Sequence, residues 1–198
     1  MVKKAASTET VEIKPFDVDT VSIQIKGVTP LIVHKWSDKA KQMMLDTQMG
    51  KAKTKRPLKD PEQDYEDSMY KTEDGSTGFP ATGFKAAIVG ACRMIDGLPM
   101  TQAKIAIRVN GDIVKINGQP RMREDMVRLQ TGVADIRYRA EYPEWSATLS
   151  ITYNKGMISL EQLVNLLNAA GFGGIGEWRP SAPKSASGSY GCFKVVTA

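Results

Sequence analysis

The sequence predicts an α+β protein whose core follows the order β-α-β-β-α-β. Two patterns of apolar residues at helical spacing, in residues 84–95 and 160–171, predict the two helices. Runs that alternate apolar and polar residues stand before, between and after them, as is typical of half-buried strands. This order is the ferredoxin-like plan, which RNA-recognition domains share.

The first strand is predicted from Val21 to Lys26, where apolar and polar residues alternate. A second short apolar run, Leu31 to Val33, follows Thr29-Pro30. Ser37 is expected to cap a helix through about Met49, since a serine hydroxyl accepts from free backbone N–H groups at a helix start.

A basic run without periodicity, residues 50–60, is predicted to be an exposed loop. Pro61 and the acidic residues after it favour a short helix, and residues 71–78 are expected to be a further loop. The whole stretch 28–78 is therefore predicted to be an insertion. We expect a flexible N-terminal arm over 1–19 and a single domain over 20–198.

The second half of the chain supplies the remaining core elements. Phe79 to Gly83 leads into the helix 84–95, and Ile105–Val109 and Ile113–Ile116 flank Asn110-Gly111, which predicts a β-hairpin. The remaining predictions are a basic-faced strand at 135–139, a strand at 145–153, a helix that begins at Ser159 and ends at Gly171, a Gly-rich loop over 171–188, and a last strand at 190–196.

Composition narrows the function classes. The 198 residues include 27 Lys and Arg against 22 Asp and Glu, a net charge of +5 that permits a polyanionic partner. One histidine and two cysteines offer neither a disulfide framework nor a His- or Cys-based metal site, so we expect no metal and no cofactor. Without an apolar stretch long enough for a membrane span or a signal peptide, we expect a cytoplasmic protein of a bacterial host cell, with no membrane partner.

The Gly-rich loop is a candidate phosphate site. Its Gly173, Gly174 and Gly176 would let the backbone approach a phosphate closely and point N–H groups at it. Nearby, Trp178 offers a face for base stacking, and Arg179 and Lys184 supply positive charge. The alternative is a connection whose glycines only turn the chain.

Two further candidate sites are the start of the helix after the predicted insertion and a short segment inside that insertion. The helix after Phe79-Pro80 would direct free N–H groups outward, with Lys85 in its first turn and Arg93 near its end. Lys35 and Trp36, which follow His34, combine a cation with a stacking surface. A capped core helix and a packed tryptophan are the alternatives, and His34 has no recognisable catalytic partners.

Basic residues also cluster in two other stretches. Lys53, Lys55 and Arg56 lie in the predicted loop, and Arg137, Tyr138 and Arg139 place two arginines on one face of a strand. Such stripes are typical of contacts to a nucleic-acid backbone, although a salt-bridged surface has the same composition.

Two motifs resemble those of the repeat-associated RAMP superfamily. Gly78-Phe79-Pro80-Ala81-Thr82-Gly83-Phe84-Lys85-Ala86-Ala87, followed by Arg93, is similar to its Pro-Gly-Ser-Ser…Lys-Gly…Arg motif. Gly173-Gly174-Ile175-Gly176 and Ser185 to Phe193 are similar to its C-terminal Gly-rich loop and strand. Ala81 and Ala86 stand where the motif has glycine, and Ser187 stands where it commonly has a base.

The nearest branch would be the backbone subunits of CRISPR effector complexes, or a phage-encoded relative. The resemblance implies binding of single-stranded RNA or DNA through Lys85, Arg93 and the Gly-rich loop, and head-to-tail assembly into a ring or filament. With one histidine and two cysteines in the chain, we expect the protein to be non-catalytic. Two other functions stay open: an assembly subunit or effector-subunit mimic without nucleic acid, and a metal-dependent ribonuclease that uses Asp112, Asp125 or Asp135.

Overall fold

The computed structural model describes residues 15–51, 58–95, 97–129, 131–183 and 186–196. This part of the chain is a mixed α+β structure with three antiparallel sheets and five helices, which confirms the predicted class. The strands are β1 (Val18–Gly27), β2 (Leu31–Val33), β3 (Tyr70–Lys71), β4 (Thr77–Pro80), β5 (Ile107–Val109), β6 (Ile113–Lys115), β7 (Arg121–Arg128), β8 (Ala134–Tyr142), β9 (Ser146–Asn154) and β10 (Phe193–Val195). The helices are α1 (Asp38–Gln48), α2 (Pro61–Asp67), α3 (Ala81–Ala91), α4 (Met100–Ala106) and α5 (Leu160–Gly173).

The central sheet has four strands in the order β10-β1-β9-β5. Strands β1 and β9 pair in nine register positions, from Val18 opposite Asn154 to Lys26 opposite Ser146. Their alternate residues, such as Ile25 and Leu149, are fully buried and belong to the same apolar core as α3 and α5. The core therefore lies between one face of this sheet and the two long helices.

The hairpin prediction at Asn110-Gly111 is wrong. Strand β5 pairs with β9 in the central sheet, whereas β6 pairs with β4 in a small sheet of order β3-β4-β6. The Asn110 side chain bonds Ser150 and Thr152 on β9, and Gly111 has φ +81°, so the chain turns there and leaves the central sheet. Asn-Gly supplies a tight turn, but tertiary partners decide what the two flanking strands pair with.

Other boundaries also differ from the prediction. Residues 71–78, predicted as a loop, include the β3–β4 hairpin, in which Tyr70 pairs with Gly78. Helix α3 begins at Ala81, whose N–H donates to the Asp112 carbonyl, and ends at Ala91 rather than at residue 95. The start of the predicted strand at 105–109 is the end of α4, so only Ile107–Val109 is extended.

Several local predictions are confirmed. Ser37 accepts from the Ala40 N–H at the start of α1, and Ser159 and Gln162 form the capping box of α5. Strand β8 covers the predicted 135–139 strand and forms a long hairpin with β7, and this pair joins β2 in the third sheet. Residues 1–14 of the predicted arm and 52–57 of the predicted basic loop lie outside the described residues. Within the described ranges, no helix has the length and apolarity needed to cross a membrane.

Substituting Gly171 by alanine is expected to destabilise the fold by about 1–3 kcal/mol, because a Cβ there would overlap the Phe193 carbonyl of β10. The matched control is Gly90→Ala in α3, where a Cβ meets nothing within 4 Å. That change is expected to add about 0.5–1 kcal/mol, since glycine is a poor helix residue. Urea unfolding of both variants measures the difference, and equal effects would contradict the predicted close contact of α5 with β10.

Candidate nucleic-acid interface

The two motifs of the sequence meet at one large cleft. Helix α3 contributes Gly83 and Gly90, and Arg93 follows its end. The end of α5 and the loop after it contribute Gly173, Gly174, Gly176 and Arg179 to the opposite wall. The cleft has a volume of about 700 Å³. Residues more than eighty positions apart in the sequence thus line a single groove.

Backbone contacts hold the Gly-rich loop in place. The N–H of Ile175 donates to the Gly191 carbonyl at 3.0 Å, and the N–H of Glu177 donates to the Ile32 carbonyl of β2 at 2.9 Å. Gly174 and Gly176 have φ values of +71° and +76°, which disfavour other residues. The loop is therefore anchored on both sides.

The large cleft is positively charged. Arg93, Lys104 and Arg179 line it, against the single carboxylate of Glu177. Arg179 Nη1 donates to the Gly176 carbonyl at 2.9 Å, which holds its guanidinium beside the glycines. None of these three cations forms a salt bridge with a carboxylate of the described residues, so their charge is available to an anion.

A second cleft of about 320 Å³ adjoins the first. Its charged lining is mixed: Lys35, Lys39, Lys59 and Arg137 face Asp64, Asp67 and Asp135. The imidazole of His34 belongs to the lining of both clefts, and Tyr138 belongs to that of the second. His34, at the end of β2, therefore stands where the two clefts meet.

Asp135 is neutralised by two cations. Lys59 Nζ lies 2.9 Å from its Oδ1 and Arg137 Nε lies 2.7 Å from its Oδ2. The hydrogen bond from Lys59, together with the charge of Arg137, lowers the pKa of Asp135. This carboxylate is therefore ionised and paired, and it offsets part of the positive charge of Lys59 and Arg137.

Strands β7 and β8 share a partly buried ionic network. Arg123 contacts both Asp125 and Glu141, at 2.8 and 2.9 Å, and Arg139 Nη1 donates to Asp125 Oδ2 at 3.2 Å. The Arg123 guanidinium also lies over the ring of Tyr190, 4.9 Å from its centroid. This arrangement connects the β7–β8 hairpin to the segment after the Gly-rich loop. Arg139, whose side chain is only 7% exposed, belongs to this network.

The remaining predicted residues occupy different surroundings. Trp36 is 51% exposed beside the second cleft's Lys35, whereas Lys85 is partly buried on α3 outside both clefts. Trp178 has φ +57°, and its carbonyl accepts from the Tyr190 N–H, so it lies in the anchored loop. The predictions for Lys53, Lys55, Arg56 and Lys184 concern positions outside the described residues.

Sequence reasoning missed three residues of the large cleft. Lys104 lies in α4 next to no motif, and Glu177 lies between Gly176 and Trp178. In the sequence, His34 indicates only a titratable ring beside Lys35 and Trp36, without recognisable catalytic partners. No local pattern marks these positions, because the cleft forms only when α3, α4 and the loop after α5 pack together.

The carboxylates named for a ribonuclease are not assembled into a metal site in the described residues. No group of three or more His, Cys, Asp or Glu side chains there could hold an ion. Asp125 is paired with Arg123 and Arg139, and Asp135 with Lys59 and Arg137. Carboxylates held by arginines are poorly placed to coordinate a cation.

The unfolding free energy is expected to depend on the protonation of His34. Burial and the charge of Arg139 and Arg137 lower the pKa of this imidazole below its usual 6.5, although Glu177 and Asp64 act in the opposite direction. As the pH falls below 6.5, the unfolded chain takes up this proton before the folded chain does, so stability decreases. The unfolding free energy then changes by less than about 1.4 kcal/mol per pH unit.

Urea unfolding at pH 7.5, 6.5 and 5.5 checks this expectation. His34→Gln, which keeps a polar side chain but cannot titrate, should show a smaller loss of stability toward pH 5.5 than the unsubstituted protein. An identical pH dependence for the two proteins would show that His34 does not titrate as its surroundings imply.

No protein-family model matches the chain, and no curated protein matches its sequence. Among solved structures, it is similar to Cmr6 from Pyrococcus furiosus, with a TM-score of 0.45, 9% identity, and coverage of 90% of this chain and 99% of that one. It is also similar to a chain of the Type III-B Cmr-beta complex bound to cognate target RNA, with a TM-score of 0.46 and 11% identity. That match covers 91% of this chain and 60% of the other.

Proposed function

We propose that this protein is a non-catalytic, single-stranded nucleic-acid-binding protein that holds the phosphate backbone in the large cleft and assembles head to tail along the strand. One observation carries the binding proposal: Arg93, Lys104 and Arg179 converge on the same groove as Gly173, Gly174 and Gly176. Cations supply the attraction to phosphates, and glycines let the backbone come close to them.

The second cleft extends the proposed path. A strand leaving the large cleft passes His34 and reaches Lys35, Arg137 and Tyr138. Trp36, Tyr138 and Trp178 are the proposed stacking groups, since bases of any type stack on aromatic rings. Lys85, at the α3 side, and the basic residues Lys53, Lys55, Arg56 and Lys184 are proposed as additional phosphate contacts. We assign Arg139 to the ionic network of β7 and β8, because its partner is the buried Asp125.

We further infer that the central sheet with α3 and α5 is a ferredoxin-like core. In chain order, α3 lies between β1 and β5, and α5 lies between β9 and β10. In the sheet, the strands lie side by side in the order β10-β1-β9-β5. This connectivity supports the β-α-β-β-α-β plan.

Fluorescence anisotropy with labelled single strands of RNA and DNA tests the proposal. We expect binding to both at 50 mM salt and a steep loss of affinity toward 500 mM, since the contacts are to phosphates. A preference for RNA would identify contacts to the 2′-hydroxyl. Absence of binding at low salt, or an affinity that salt does not change, would overturn the proposal and favour an assembly protein without nucleic acid. Cleavage of the RNA in the presence of Mg²⁺ would contradict a non-catalytic role.

A further inference from the structure

The outer face of the central sheet is exposed in the described part of the chain, and it is almost entirely polar. The helices α3 and α5 pack on the other face, where the side chains of the core lie. The side chains that alternate to the outer face are Val18, Thr20, Ser22, Gln24 and Lys26 of β1, Arg108 of β5, Ser146, Thr148, Ser150, Thr152 and Asn154 of β9, and Lys194 of β10. Hydroxyl and amide groups therefore form most of this surface.

Hydroxyl side chains of this face occupy neighbouring positions on β1 and β9. Register pairs bring Ser22 opposite Ser150 and Gln24 opposite Thr148, and the hydroxyls of Thr20 and Thr152 lie 2.8 Å apart. Asn110, at the end of β5, donates to both Ser150 and Thr152 at 3.0 Å. A surface of this kind is flat and offers many hydrogen-bond donors and acceptors.

The charge on this face has one sign. Lys26, Arg108 and Lys194 are its ionised side chains, and the outward positions of the four strands include no carboxylate. Lys26 and Lys194 even stand directly opposite each other in the β1–β10 register. Like charges at opposite positions of neighbouring strands are destabilising, so this pair without a described carboxylate beside it indicates a surface suited to an anionic partner.

The same chain carries a surface of opposite charge. Over the segment 60–74, which runs from the start of α2 into the β3–β4 turn, exposed carboxylates belong to Asp60, Glu62, Glu66, Glu73 and Asp74. Lys71 is the one base within that segment, and it pairs with Glu66. The apolar side of α2 faces β8, so these carboxylates point away from the core.

We infer that the outer face of the central sheet docks the acidic segment 60–74 of a second copy of this chain. The two surfaces are different parts of one molecule, so the contact is head to tail and repeats from copy to copy. The inference deepens the proposed self-assembly and supplies its surfaces, but it does not depend on nucleic-acid binding.

The size of the face sets the strength of the contact. Nine paired residues span about 27 Å, and four strand axes span about 14 Å, so the face covers at most about 400 Å². A stable interface buries about 800 Å² on each partner. The contact is therefore weak between free copies and strengthens when a shared strand holds neighbouring copies together.

Sedimentation velocity over a range of concentrations, at 50 and 500 mM salt, tests the inference with paired charge reversals. Lys26→Glu with Lys194→Glu makes the face acidic. Glu62→Lys, Glu66→Lys and Glu73→Lys together leave more exposed lysines than exposed carboxylates on the segment 60–74. Each variant alone should lose at least tenfold in association constant, because its two surfaces then carry the same charge. An equimolar mixture should recover association, because each surface of one variant matches the opposite surface of the other.

The control and the outcomes separate this inference from the proposed function. Lys41→Glu with Lys51→Glu reverses two exposed lysines outside both surfaces and should associate like the unsubstituted protein. Circular dichroism establishes that every variant is folded.

The sedimentation measurements are repeated with the protein bound to a long single strand. A protein that binds short strands but never associates overturns this inference and the proposed assembly, and leaves the binding proposal standing. One that associates without binding strands overturns only the binding proposal. Reversals that leave association unchanged, or a mixture that fails to restore it, would also overturn the inference.

Discussion

Replacing Arg93 and Arg179 together by alanine is expected to weaken the binding of a labelled single strand by about a hundredfold or more. Hydrogen bonds between charged groups contribute about 1.5–3 kcal/mol each, and 1.4 kcal/mol corresponds to a factor of ten. Both guanidinium groups line the large cleft, on opposite sides of it. The salt dependence should fall as well, by about 0.7 in the logarithmic slope for each lost phosphate contact.

Two further variants make this result specific. Lys41→Ala with Lys51→Ala removes two exposed lysines outside both clefts and should change affinity by less than about threefold. Arg179→Lys keeps the charge but loses the fork that holds the Gly176 carbonyl, so it should show an intermediate loss. Equal losses for the surface pair and the cleft pair would mean that binding follows net charge rather than the cleft.

Replacing Asp125 by asparagine is expected to destabilise the protein by about 3–5 kcal/mol. The carboxylate is 8% exposed and neutralises both Arg123 and Arg139, and Arg139 is itself buried. Removing one member of a buried ion pair leaves an uncompensated charge away from water, which costs more than the pair contributes. The Nε of Arg139 already has no hydrogen-bond partner among the described residues, so no other group there replaces Asp125. Urea unfolding monitored by fluorescence measures the change.

A double variant and a neighbouring site serve as controls. Asp125→Leu with Arg139→Met removes both charges at once and should recover most of the lost stability. Glu124→Ala, at an exposed position on the other side of β7, should stay within about 0.5 kcal/mol. If Asp125→Asn were as mild as Glu124→Ala, water would have to reach the network, and the buried pairing would not stabilise the hairpin.

Local elements of this fold are predictable from sequence where the signal is short in range. Ser37 and Ser159 accept from backbone N–H groups three residues later, so a few neighbouring residues determine where α1 and α5 begin. Alternation along β1 and β9 predicts which residues face the core, because successive side chains of a strand point to opposite sides.

Strand partners are less predictable. The turn at Asn110-Gly111 is real, yet β5 and β6 belong to different sheets. The residues of β9 that pair with β5 lie about forty positions later in the chain. The residues of β4 that pair with β6 lie about thirty-five positions earlier. A turn motif describes only the backbone between two strands, and pairing over such distances depends on the packing of the whole chain.

The candidate site divides in the same way. Arg93 and the glycines Gly173, Gly174 and Gly176 stand in recognisable motifs, and the structure brings them to one cleft. Lys104 and His34 carry no local signal, and they reach the cleft only through the packing of α4 and β2. Arg139 shows the opposite case. Its spacing from Arg137 predicts an exposed basic stripe, but its side chain is buried and paired with Asp125 of β7.

The sequence by itself determined the α+β class, the helix starts, the core faces of the strands and the two motifs, because each depends on residues close together in the chain. Only the tertiary structure decided that these motifs share a groove, that a basic stripe is partly a buried network, and that the central sheet has an exposed cationic face. Charge and proximity between distant residues arise from packing, and packing is a property of the whole chain.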